Sequence, residues 1–190
     1  MKKNMEIRMI KPLKLTDLKK ELNKLDQKQL VEIIANLYKN DQRAKDMLCV
    51  RLMGEAYKNE LLTAYKIKMH DIFFPRFIQT IPSLKSAKAL ITEIKKIGDD
   101  QMGLELMLYY VECGNKFTNA YGDIDEAFYN SLTGMYAQFV NQLNANGTVS
   151  IYLKYKERIN DLVASSAHIG WGYGDYLADK SLEIEWLEEV

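Results

Sequence analysis

The sequence predicts an all-α protein, an irregular antiparallel helical bundle or a short stack of helical pairs, with about eight to nine helices. Three observations carry this. Apolar residues recur at three- and four-residue spacing along most of the 190 residues. Capping residues and glycines interrupt those stripes so often that only short connections remain, which makes consecutive helices antiparallel neighbours. Period-two alternation does not persist anywhere, and Asn146-Gly147 lies between helical stripes instead of β-branched runs.

The elements follow in order. Leu15, Leu18, Leu22 and Leu25 share one stripe, with Thr16 or Asp17 to cap it. Asp26-Gln-Lys-Gln29 has the form of a capping box and opens a second helix with Leu30, Ile33, Ile34, Leu37 and Tyr38 inward. Asn40-Asp41 breaks that helix. A third, short one carries Met47, Leu48 and Leu52 and ends or kinks at Gly54. Tyr57, Leu61 and Tyr65 recur at i, i+4 and i+8 and lead into Phe73-Phe-Pro75, where proline disfavours helix and leaves an aromatic elbow through Phe77.

Beyond Pro82, Ser83 or Ser86 caps a helix with Leu84, Ala87, Leu90, Ile94 and Ile97 inward, closed by Gly98. Asp99-Asp100 opens the next, with Met102, Leu106, Tyr109, Tyr110 and Cys113 inward and Gly114 at its end. The strongest stripe is Phe128, Leu132, Met135, Tyr136, Phe139 and Leu143, stopped at Gly147. Tyr152, Tyr155, Ile159, Leu162 and Val163 form another. A weaker one, from about Asp175 to Glu188, runs through Leu177, Leu182 and Trp186.

Composition bounds the rest. Residues 1–12 read as a flexible N-terminal segment and 13–190 as a single domain, with an internal boundary, if any, near 72–83. Formal net charge is zero, which argues against a nucleic-acid binder with a diffuse basic surface. The charge is unevenly placed: residues 1–100 hold 21 Lys+Arg against 13 Asp+Glu, residues 101–190 hold 5 against 13. Attraction between the halves or to a second copy is the simpler reading, so a homo-oligomer stays open. Cys49 and Cys113 sit at apolar helical positions and read as buried, reduced thiols. With no apolar run near membrane-spanning length and no secretory signal at the start, the expected location is the cytoplasm and no membrane partner is expected.

Two segments concentrate aromatic, amide and carboxylate side chains around glycine: Phe117 to Ser131, and Gly170-Trp-Gly-Tyr-Gly-Asp175. In the first, Asn115, Thr118, Asn119 and Tyr121 fall in an expected interhelical loop, a common place for binding residues. Asp123, Asp125 and Glu126, with Glu112 behind them, could ligate a hard cation. Asp123-x-x-Glu126 directly before the Phe128 stripe fits a capped helix start better, and the spacing does not match a calcium loop. The glycine segment lacks the strand and Lys-Ser/Thr of a phosphate loop and reads as a tight turn packing Trp171 and Tyr173. His70 and His168, the two histidines, stand in no nucleophile or zinc pattern; His168 could act only if the fold sets it beside Asp123 or Asp175.

Leu18-Lys-Lys-Glu-Leu22, Leu37-Tyr-Lys39, Phe73-Phe-Pro75, Leu106-Met-Leu-Tyr-Tyr-Val-Glu112, Phe117-Thr-Asn119, Tyr121-Gly-Asp-Ile-Asp-Glu126 followed by Phe128-Tyr-Asn-Ser131, and Gly170-Trp-Gly172 with Asp175 and Leu177-Ala-Asp179 resemble an uncharacterised bacterial family of small helical cytoplasmic proteins, a domain of unknown function. The likeness covers most of the chain from about residue 13 and is most specific over 106–131. It implies a bacterial, helical protein and no activity, substrate or catalytic residue.

The functional expectation is a noncatalytic interaction protein. Its polar-aromatic groove lies between the 117–126 and 170–175 segments and takes a protein, a peptide or a polar small molecule through Asn119, Tyr121, Asp123, Asn130, Trp171, Tyr173 and Asp175. No catalytic residue, metal or cofactor is expected. The alternative is a metal-dependent enzyme using Glu112, Asp123, Asp125, Glu126 and His168. The third reading is weak nucleic-acid contact through Lys14, Lys19, Lys20, Lys24 and Lys28, interrupted by Asp17, Glu21 and Asp26; a solvated lysine face explains those residues better.

Overall fold

The computed structural model describes residues 11–76 and 80–189, and among these the chain is helical throughout, without a strand. Phe77, the far end of the aromatic elbow, and the first ten residues of the N-terminal segment lie outside the described residues. The chain divides into two compact units, Met1–Lys45 and Asp46–Val190. The elbow near 72–83 falls inside the second unit.

The first unit holds α1 (Leu15–Leu22) and α2 (Gln27–Asn40). Lys14, in extended conformation, precedes α1 without any side-chain cap, so neither Thr16 nor Asp17 fills that role, and Leu25 lies past the helix end. The capping box at α2 forms as expected: the Gln29 N–H donates to Asp26 Oδ1 at 2.8 Å and the Asp26 N–H to Gln29 Oε1 at 3.0 Å. The inward stripe does not. No residue of α1 or α2 is buried, and Ile33, Ile34, Leu37 and Tyr38 are exposed. Two short helices supply too little facing surface to enclose a core. The lysines alternate with acids here, Lys24 pairing with Glu21 at 2.7 Å.

Helix α3 (Gln42–Met53) spans the division. It buries Asp46 and Cys49 instead of the expected Met47 and Leu52, which are exposed. Gly54, with φ 66°, separates it from α4 (Glu55–Phe73), whose buried side is Tyr65, Met69 and Phe73. Pro75 follows the helix end, and Phe74 stands 5.0 Å from His70 between ring centroids. Ser83 caps α5 (Leu84–Lys95), which buries Ala87, Ile91 and Ile94.

The centre of the second unit is α6 (Asp100–Tyr121), packed against α4, α5, α7 and α8. It does not end at Gly114 but continues through Asn115 to Tyr121. A methyl group built on Gly114 would stand 2.3 Å from Leu132 Cδ2. The glycine therefore marks a close approach of two helices in the core, not a terminus. The expected interhelical loop shrinks to residues 122–125.

Asp125, not Asp123, caps α7 (Glu126–Asn146) by accepting the Phe128 N–H at 2.8 Å. The stripe from Phe128 to Leu143 is buried along its whole length, and Gly147 follows the helix. Thr148 caps α8 (Val149–Ser166). After a turn comes α9 (Tyr173–Ser181), then a 3₁₀ turn, Glu185–Glu189; the expected last helix is thus broken before Ile184, which is buried while Leu182 is exposed. Pairs such as Thr118–Tyr129 and Tyr110–Ser131 run α7 antiparallel to α6, whereas Glu105–Arg158 and Asn115–Ser165 run α8 parallel to it. The unit is an irregular helical bundle around α6 and α7.

Cys49 and Cys113 are both buried and outside any disulfide. Among the described residues no helix is long and apolar enough to cross a membrane.

Candidate functional site

Two polar depressions meet at Asn119, on the last turns of α6. One, of about 250 Å³, is lined by Thr118, Asn119, Asp123, Tyr129, His168 and backbone of the Gly122 and Gly170 turns. The other, of about 640 Å³, lies along α6 and α8.

The first is the place the sequence indicates, reorganised around a residue it does not single out. Tyr129 is buried, and its hydroxyl donates to Asp123 Oδ1 at 2.6 Å. Thr118 Oγ1 sits 2.7 Å from that hydroxyl, and the Ile124 N–H donates to it at 3.4 Å. The other Asp123 oxygen accepts the Trp171 indole N–H at 2.7 Å, so the two segments do meet. Bonds from Tyr129 and then Trp171 hold the Asp123 carboxyl below the usual aspartate range, because each favours the charged form. Burial, followed by the adjacent carboxylate, moves the Tyr129 hydroxyl upward.

Trp171 stacks on Tyr129 with centroids 6.3 Å apart and planes at 24°, yet 57% of it stays exposed. Its φ of 62° makes it, among the described residues, the one non-glycine residue with positive φ. The chain tightens again just after it: a methyl group on Gly174 would stand 2.4 Å from the Ser166 carbonyl oxygen, which fixes how closely α9 follows α8.

The remaining expected residues disperse. Tyr121 is half-exposed and packs against Phe117 at 4.8 Å and Phe74 at 6.5 Å. Tyr173 is a core side chain, 5.4 Å from Tyr129 between centroids, with its hydroxyl buried and unpartnered. Asn130 and Asp175 are exposed in the opening turns of α7 and α9 and line neither depression. The acids of the metal reading are not gathered. Both Glu112 oxygens are held by Arg158, at 2.7 and 2.9 Å, and Asp125 is a cap. Among the described residues no three His, Cys, Asp or Glu are placed to hold a metal ion.

The larger cleft rests on an ionic framework. Arg158 joins Glu112 and Glu105, and Lys66 reaches Glu105 at 2.6 Å. Burial opposes the Glu105 charge, but Arg158 and Lys66 outweigh it and hold the carboxyl low. Burial likewise opposes the Arg158 charge, and the two glutamates outweigh it and raise its value. Above this framework Asn115 donates to Ser165 Oγ at 2.8 Å and Asn119 to the Ser165 carbonyl oxygen at 3.1 Å. Sequence reasoning missed this face because it ended α6 at Gly114. With the helix continued, Glu112, Asn115, Lys116 and Asn119 fall at i, i+3, i+4 and i+7, one polar stripe; Arg158, Asp161 and Ser165 make the matching one on α8.

A family model matches residues 13–176, most of the chain. The chain belongs to the family of unknown function DUF6155. The span matched in DUF6155 takes in both depressions, from Glu112 to Gly170, and Trp171 beside them. No curated protein and no solved structure matches the chain.

Proposed function

We propose that this protein is a noncatalytic binding protein. Its recognition surface is the corner made by the end of α6, residues 122–125 and the turn before α9, and it takes a protein, a peptide or a polar small molecule. The observation that carries this reading is Trp171. A bulky residue in left-handed conformation costs roughly 1–2 kcal/mol. Core packing does not repay that cost, since the ring is more than half exposed. Asp123 and Tyr129 nevertheless hold the indole in one orientation. An exposed aromatic face fixed in advance loses little entropy on binding, and such residues anchor interfaces.

Two further features support binding over catalysis. Burial pushes the Cys113 thiol up to about 12, which removes it as a thiolate nucleophile at neutral pH. His168 shares the smaller depression with Asp123 and makes no hydrogen bond to it, so the two do not form an oriented acid–base pair. Cytoplasmic residence belongs to the same reading, supported by two buried thiols outside any disulfide.

Trp171→Gly tests the proposal. Glycine tolerates the local φ but loses the bond to Asp123 and the stack on Tyr129, so a purely structural Trp171 predicts a lowered melting temperature with partner retention unchanged in pull-downs of the folded protein. The binding role predicts loss of the retained partner by the folded protein. Equal retention by both proteins rejects it.

A further inference from the structure

The α6–α8 cleft contains charges that the fold leaves uncommitted. Glu112 and Arg158 neutralise each other on its wall. Lys116, one residue past Asn115, and Asp161, three past Arg158, line the same cleft and are exposed. Among the described residues neither has an ion-pair partner, and they do not pair with each other. One cation and one anion therefore face a common space of about 640 Å³ from opposite helices, a volume within the range of small-molecule sites.

A second observation points the same way. Asn115 is 3% exposed, its amide N–H₂ bonds Ser165, and its carbonyl oxygen Oδ1 is buried without any partner. An orphaned buried acceptor costs about 1–3 kcal/mol, and in native proteins such a group usually meets a donor from water or a ligand.

We propose that this cleft binds a small zwitterion of the amino-acid or short-peptide class, with its carboxylate against Lys116 and its ammonium against Asp161. The charge pattern selects the class. A dianion meets the unpaired Asp161, a dication meets the unpaired Lys116, and only a molecule carrying both signs is matched on both helices. Leu162 and Ala120 give the site an apolar portion for a side chain. The site stands independently of the Trp171 corner, although Asn119 borders both.

The test is calorimetric titration of the full chain with the proteinogenic amino acids and with Gly-Gly and Ala-Ala, which separates the free amino acid from the peptide. N-acetyl amino acids, lacking the ammonium, and amino-acid amides, lacking the carboxylate, are the controls. Support is binding by at least one zwitterion that weakens about tenfold or more when either charge is blocked. In Lys116→Gln the preference for the free carboxylate over the amide should vanish, and in Asp161→Asn the preference for the free ammonium over the N-acetyl form. Both side chains are exposed, so circular dichroism should report an intact fold. Trp171→Gly should bind the same zwitterion as wild type, which separates failure here from failure of the recognition corner. No binding by any zwitterion at millimolar concentration, equal binding by the blocked forms, or wild-type behaviour of both charge variants overturns the proposal.

Discussion

The Trp171 indole N–H bonds Asp123 Oδ2 at 2.7 Å, tying the turn before α9 to the connection after α6 across 48 positions of sequence. The charged carboxylate accepts this bond more strongly than the neutral acid does, and the Asp123 value lies below the ordinary one. A depressed folded value means the tether is complete at and above the ordinary aspartate value of about 3.9 and is lost only as pH falls through the folded value. In a Trp186→Phe background, Trp171 emission should stay constant down to about pH 4 and change below it. Asp123→Asn should remove that transition. A transition centred above the ordinary aspartate value contradicts the assignment.

Gly114 and Leu132 occupy the same space from two helices. Gly114→Ala should cost about 1–3 kcal/mol in urea unfolding, because the new methyl group drives Leu132 out of a core position that is fully buried. Leu132→Ala alone should cost about 2–5 kcal/mol. The double variant should fall short of the sum by roughly 1 kcal/mol or more, since the cavity left by one change receives the methyl group of the other. Additive costs would mean that the contact at Gly114 does not set the helix separation.

Gly114 also shows where sequence reading stops. Stripes of apolar residues located α4 to α8 because burial follows helical period, and the run from Phe128 to Leu143 is buried throughout. Caps at Asp26, Ser83 and Asp99 were legible for the same local reason. A glycine, however, has one identity and two uses, a helix end or a close packing site, and only the neighbour Leu132 tells them apart. Misreading it removed a polar stripe from α6 and with it the α8 partner residues. Asp123 and Trp171 were legible as chemistry, whereas Tyr129 looked like one more core aromatic beside Phe128. The apolar face of α2 was legible as a pattern, but periodicity carries no information on what covers it.

Arg158 is the shared counter-charge of Glu105 and Glu112, whose side chains are 13% and 16% exposed. Arg158→Met leaves one of them with Lys66 alone and the other unpaired. Stability at pH 7 should fall by about 2–3 kcal/mol, toward the lower end for buried pairs because Arg158 keeps part of its surface in water. The pH dependence follows from the depressed Glu105 value. Its contribution is present above the ordinary glutamate value of about 4.3 and is lost as pH falls through the folded value, so wild type and variant should converge in acid. Unfolding curves from neutral pH down to about pH 2 measure this. A gap that widens in acid is the wrong sign.

Tyr129 and Tyr173 are neighbours with opposite accounts. Removing the Tyr129 hydroxyl deprives Asp123 and Thr118 of a bond each, and Tyr129→Phe should cost roughly 1–2 kcal/mol. The Tyr173 hydroxyl is buried without a partner, and burial drives its ionisation far upward. Tyr173→Phe removes an unsatisfied group while keeping the ring, so it should be neutral or stabilising by up to about 1 kcal/mol. Chemical denaturation of the two variants side by side decides the matter. If Tyr173→Phe costs as much as Tyr129→Phe, the Tyr173 hydroxyl has a bonded partner such as a buried water, and its surroundings in the core are polar instead of dry.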